Sequence, residues 1–183
     1  MIPVDSFTII LAIDHFLCYK IHKSSIEGME ERAMSNFLDK LLIRVMEKHD
    51  LDFIVNIDTK VLGETRRDYW VTKIVKQAET RPHDASLVAE IDEKVIGFIL
   101  GEVSGWEFKV PNNIGWIDTI GIDPDYQNRG IAKELAGACV QNLKKYGADT
   151  IYTLVNWNDW DLLQFFHAMG FSRGDMINLV LRV

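Results

Sequence analysis

"YQNRGIAKEL", residues 126–135, sets a polar run, one glycine and a small alanine where a strand-like stretch gives way to a helix. A helix start exposes backbone N–H groups that have no intrahelical partner, and the helix dipole places partial positive charge there. Several such groups can approach a diphosphate together only when the side chains nearby are small, a condition that Gly130 and Ala132 meet. Gln127, Asn128 and Arg129 add side-chain donors at the rim, and Ile131 opens the helix. The stretch is no P-loop, because GxxxxGK(S/T) is missing, and no dinucleotide fingerprint, because GxGxxG is missing as well. The competing reading is a capped helix whose glycine serves close packing on a sheet.

Outward from this point the chain alternates in a regular order. Upstream, "NIGWIDTIGI" (113–122) is a strand stopped by Asp123 and Pro124, and "SLVAEI" (86–91) with "VIGFILGEV" (95–103) makes a hairpin around "DEK". Before these, "KLLIRVM" (40–46) is a short strand. "DLDFIVNIDTKVL" (50–62) has helical spacing and ends at Gly63, and "RRDYWVTKIVKQA" (66–78) is a second helix. Downstream, Gly130 to Tyr146 is a helix closed by Gly147, with Ile131, Leu135, Ala138, Cys139 and Leu143 on one side. "TIYTLV" (150–155) is a strand, "WDLLQFFHAM" (160–169) a helix closed by Gly170, and "INLVLRV" (177–183) a final strand. The order β-α-α-β-β-β-α-β-α-β predicts an α/β (α+β) fold: a mixed, mostly antiparallel twisted sheet with helices on both faces.

Residues 1–38 stand apart as an extension of unknown role. Phe7, Ile9, Leu11 and Ile13 alternate as a strand does, and "SIEGMEERAMSNFLDKLL" (25–42) reads as helix or linker. An edge strand, a homodimer contact and a start upstream of the true Met34 are the roles open to it. The remainder, 39–183, reads as one domain. With 183 residues and 48% hydrophobic content the chain can bury a sizeable core. A net charge of -7 without clustered Lys and Arg argues against a nucleic-acid footprint. Cys18 and Cys139 form no metal or dithiol spacing, so no metal is expected and a reducing, cytoplasmic setting is. The apolar run "SFTIILAIDHFLCYKI" is interrupted by Asp14 and His15 and lacks a basic leader, so neither export nor membrane spanning is expected.

"GIDPDYQNRGIAKEL" (121–135) directly after a strand resembles the Q/R-x-x-G-x-G/A motif of the GNAT superfamily of N-acetyltransferases, with Gln127, Gly130 and Ala132 on the three defined positions. The element order is similar too, over about residues 39–183. The resemblance implies acetyl-CoA as co-substrate, its pyrophosphate on residues 127–132. It implies that Ile120, Gly121 and Ile122 pair through their backbone with the pantetheine arm, and that the N–H of Ile122 donates to the thioester oxygen. The expected reaction is transfer of the acetyl group to a primary amine, on a protein lysine, a protein N-terminus or a small molecule, by direct attack in a ternary complex.

An ammonium acceptor of pKa about 10.4 is only roughly one part in a thousand neutral near pH 7, so a base helps. In "GWIDTIGI" period-2 alternation sets Trp116, Asp118, Ile120 and Ile122 on one face, making Asp118 a carboxylate among apolar neighbours. It stands where some members of the superfamily carry a glutamate base. The alternative is that Asp118 pairs with a neighbouring Arg or Lys to hold the sheet. "FFHAMGF" (165–171) matches the Y-x-x-x-G-F ending of a family helix, but Phe166 replaces the tyrosine acid that protonates the leaving sulfur. His167 or Tyr126 can take that task, or water can; a non-catalytic acyl-CoA-binding module is the alternative function. Asp159 stands where many members have an asparagine, although helix capping accounts for it as well. Trp157 and Trp160, Arg66 and Arg67, and Glu102 and Glu107 are candidates for the acceptor wall, each with an ordinary packing or surface role beside it.

Overall fold

A computed structural model describes residues 32, 34–79, 85–104 and 114–182. The chain divides into two compact units, Met1–Lys40 and Leu41–Val183. In the first, residues 34–38 are helical, and Asp39 N–H donates to the Ser35 carbonyl (2.9 Å). The strand expected at 7–13, Cys18 and Glu107 lie outside the described residues.

The second unit runs β1 (Leu42–Val45), α1 (Leu51–Leu62), α2 (Arg67–Glu79), β2 (Leu87–Ile91), β3 (Lys94–Ser104), β4 (Ile114–Ile122), α3 (Ile131–Lys145), β5 (Thr150–Thr153) and α4 (Trp160–Ala168). Among the described residues five strands lie in the order β1-β2-β3-β4-β5. The first three pairings are antiparallel and β4–β5 is parallel, which gives the expected mixed, mostly antiparallel sheet.

Helices cover both faces. On one, Ile54, Val55 and Ile57 of α1 and Trp70 and Ile74 of α2 form a buried cluster with Val88, Phe98 and Leu100 of the sheet. At ~25 cal/mol per Å² of apolar surface removed from water, such side chains each contribute about 1.5–3 kcal/mol. On the other face α3 buries Ile131, Leu135, Cys139 and Leu143. It sits so close that a Cβ on Gly101 of β3 would come within 2.6 Å of Cys139 Sγ. Burial pushes the Cys139 thiol up to about 12, so it is an inert core group.

The expected final strand at 177–183 is absent: residues 177–182 carry no regular structure, and Ile177, Leu179, Val180 and Leu181 are exposed. Alternating apolar residues record a preference for pleated structure, but a strand also requires a partner for its backbone, and none of the described residues supplies one.

One buried ion pair anchors the sheet edge to α1. Asp50, with a fully buried side chain, accepts two bonds from the Arg44 guanidinium (2.8 and 2.7 Å) and one from the Glu47 amide (2.8 Å). Burial alone would raise the Asp50 pKa; Arg44 and the Glu47 amide outweigh it and hold the carboxyl below its ordinary value. With the folded pKa depressed, this stability is present above the unfolded value of about 3.9 and is lost as pH falls through the folded one. Asp50→Asn should cost about 2–3 kcal/mol, toward the low end for a broken buried pair because Arg44 keeps Glu90. Thermal melts should show Tm lower by about 5–10 °C at pH 7, with the gap to the parent protein closing below pH 4.

Candidate active site

β4 carries a bulge that decides what each of its side chains does. Leu100 pairs with Thr119 and Gly101 with Ile117, so Asp118 is the extra residue. The bulge reverses the alternation expected along the strand. Ile122 reaches toward Leu135 of α3, and Ile117 and Ile120 share that face through their partners Gly101 and Ile99. Trp116, opposite Glu102, and Gly121, against the Phe98 ring, lie on the α1–α2 face. Asp118 therefore does not share a face with Ile120 and Ile122; its carboxylate meets Lys73 of α2 at 2.6 Å.

β4 pairs with β5 from Ile114 to Ile117, so among the described residues it is laddered from Asp118 to Ile122 to β3 alone and its outer edge is open. Hydrogen-bonded and non-bonded pairs alternate along an antiparallel ladder. The Asp123 N–H donates to the Ile96 carbonyl (2.9 Å), which makes 96/123 a bonded pair. By alternation 97/122 and 99/120 are non-bonded pairs, and the N–H groups of Ile120 and Ile122 point to the open edge.

A braced turn follows. Asp123, buried, accepts Lys60 Nζ on both oxygens (2.8 and 2.9 Å) and the Asp125 amide (3.1 Å), while Lys60 also reaches Asp125 (2.8 Å). The bonds to Asp123 and Asp125 raise Lys60 to about 12 against the opposing effect of burial. Burial pushes Asp123 up, yet Lys60 and the Asp125 amide prevail and its carboxyl lies below the usual range. Gln127 Nε2 donates to the Ile122 carbonyl (3.3 Å), tying the turn to the end of β4. Asn128 (φ 60°) and Gly130 (φ 80°) are both left-handed, and Gly130 caps α3. Its carbonyl takes the Lys133 and Glu134 amides (3.0 and 3.2 Å), leaving the N–H groups of Gly130, Ile131 and Ala132 without intrahelical partners. The Ile131 side chain is buried, so only its backbone is offered at the helix start, and the Arg129 guanidinium lies over the Tyr126 ring, 5.6 Å from its centroid. The open edge and the helix start form one continuous run from Asp118 to Ala132.

The other expected residues have local roles. Asp159 caps α4 by accepting the Leu162 amide (3.0 Å). Phe166 is buried between Phe165 and Phe171, each ring centroid 5.1 Å away, and His167 is exposed. Arg66 binds Asp58 (2.7 and 3.1 Å) and stacks on Tyr69, and Arg67 pairs with Asp52 (2.6 Å). Trp157 and Trp160 are exposed, whereas Trp116 packs on Tyr152 of β5 at 5.3 Å. Lys60 and Lys73 went unnoticed in the sequence, since a lysine on a helix carries no mark of the carboxylate it will meet on a distant strand. Among the described residues no cluster of His, Cys, Asp and Glu could hold a metal ion, and no helix is long and apolar enough to cross a membrane.

Comparison with known proteins is consistent with this arrangement. The acetyltransferase (GNAT) family matches residues 45–171. The chain is 24% identical over 153 residues to an uncharacterised N-acetyltransferase of Methanocaldococcus jannaschii, spanning 81% of this chain and 68% of that protein. It is 25% identical over 138 residues to an N-alpha-acetyltransferase of Saccharolobus solfataricus, spanning 72% and 80%. The solved structure of an aminoglycoside N-acetyltransferase in complex with CoA has a TM-score of 0.66 at 16% identity, covering 78% of this chain and 94% of that one. At that identity the likeness is one of fold.

Proposed function

The chain belongs to the acetyltransferase (GNAT) family, and from that premise we propose that it moves the acetyl group of acetyl-CoA to a primary amine by direct attack with both substrates bound. The observation that carries this reading is the outer edge of β4, unpaired among the described residues, leading into a left-handed glycine at a helix start. That run offers a strand edge to a pantetheine arm and converging amides to a pyrophosphate, two chemically unlike parts of one molecule.

In this reading the amides of Gly130, Ile131 and Ala132, with the Asn128 turn, hold the diphosphate, and Gln127 and the Lys60–Asp123 pair keep the turn in shape. Residues 120–122 align the thioester arm, and the outward N–H of Ile122 donates to the carbonyl oxygen as negative charge builds there. Asp118 accepts a proton from the acceptor ammonium, directly or through one water. The neutral amine then forms the N–C bond as the C–S bond breaks, the nitrogen loses its second proton to solvent, and the sulfur takes a proton from solvent, because Phe166 has none to give.

The acceptor site is the α1–α2 side of the β4 bulge. The similarity to an N-alpha-acetyltransferase puts peptides with free N-termini first among acceptors to try, followed by lysine peptides and small amines. Calorimetric titration with acetyl-CoA should give saturable one-to-one binding, and one of these amine classes should turn over. Absence of heat would overturn the cofactor assignment.

A further inference from the structure

Lys73 places a primary amine where an acceptor amine is required. Its Nζ lies 2.6 Å from the Asp118 carboxylate, the group assigned to take the acceptor's proton. Asp118 is the bulged residue that begins the open edge of β4, so the lysine reaches the thioester-holding stretch of strand from the helix α2 side. Its side chain is 27% exposed, which leaves the amine partly desolvated but accessible. Lys60 also sits between carboxylates, but those are Asp123 and Asp125 of the turn, beyond the end of β4.

We propose that Lys73 is a self-acetylation site: with acetyl-CoA bound and no external amine present, the protein transfers the acetyl group to its own Lys73. The inference rests on the acetyl-CoA reading above. The balance is that of the external reaction. Asp118 takes one proton from the Lys73 ammonium, the Nζ–C bond forms, the C–S bond breaks, the nitrogen gives its second proton to solvent, and the thiolate of CoA takes one from solvent and leaves as thiol. No oxidant, reductant or further reactant is needed. The product amide carries no charge, so the Lys73–Asp118 ion pair is dissolved.

The groups facing the amine define its pH dependence. Burial lowers the Lys73 pKa, but the hydrogen bond and charge of Asp118 on β4, with Tyr69 on α2 and Glu102 on β3, outweigh it and leave the pKa raised. Only the neutral amine attacks, so modification is slow near neutrality and gains roughly tenfold per pH unit until the lysine titrates.

The test incubates the full chain with acetyl-CoA alone across a pH series and follows the mass of one added acetyl group, peptide by peptide. Lys144, exposed on α3, serves as the internal reference for uncatalysed acetylation. Lys73 should be labelled at least about tenfold faster than Lys144, because a positioned amine gains from proximity what the solvated one must find by collision. Excess CoA should protect Lys73 and leave Lys144 unaffected. Lys73→Arg, checked for folding by circular dichroism and for acetyl-CoA binding by calorimetry, should lose the label from that peptide. Labelling of Lys73 no faster than Lys144, or unprotected by CoA, would overturn the proposal. Turnover of an external amine, together with a Lys73 that stays unlabelled when acetyl-CoA is supplied alone, would overturn the proposal and keep the proposed function. No binding heat at all would remove both.

Discussion

Asp118→Asn is expected to lower kcat for amine acetylation by about 10²–10⁴-fold, the usual worth of a positioned general base, while the acetyl-CoA dissociation constant stays within about twofold of the parent's. An amide of the same shape can still meet Lys73, so packing of α2 on the bulge should persist. The decisive comparison is Lys73→Met, which removes the ion pair and leaves the carboxylate. If Asp118 served only to hold α2 on the sheet, the two variants would show the same small loss in rate. As a base, it should make its own removal far more costly than loss of its partner. Steady-state kinetics at saturating acetyl-CoA, with calorimetry on both variants, separates these outcomes.

Gly130→Val is expected to weaken acetyl-CoA binding by about 30–100-fold with little change in kcat at saturation. Holding a residue with a side chain at φ 80° costs roughly 1–2 kcal/mol, and a turn that relaxes to avoid this withdraws amides from the diphosphate at roughly 1.5–3 kcal/mol for each charged bond. Gly63 is the appropriate control. It has the same φ of 80° at the end of α1, and a Cβ there meets nothing within 4 Å. Gly63→Val should therefore lower Tm without altering affinity. Equal affinities for the two variants would dissociate Gly130 from the diphosphate.

What was readable in the sequence was local. The α1 spacing with its closing Gly63, the hairpin around Asp92 and Glu93, and the glycine at the start of α3 are each specified by residues within a few positions of one another. The bulge at Asp118 was not legible, because "WIDTI" alternates as any regular strand does and only the register against β3 shows the extra residue. Its consequence was a wrong assignment of faces beyond Ile117. Lys60–Asp123 and Lys73–Asp118 were hidden for the same reason: each joins a helix to a strand far along the chain, and no short window contains both charges. The segment 177–182 failed differently, since its apolar alternation is real but pairing is a property of two segments.

The bulge also divides labour within a single strand. Past Ile117 the isoleucines turn to the α3 face, so in the proposed reading the donor molecule is held by main-chain atoms, whose chemistry is the same whatever residues occupy the positions. The α1–α2 side, by contrast, is furnished with side chains: Tyr69, Lys73, Glu102 and Asp118. On the proposed placement of the acceptor, exchanging those residues redirects the enzyme toward a different clientele without retuning its hold on the acyl carrier.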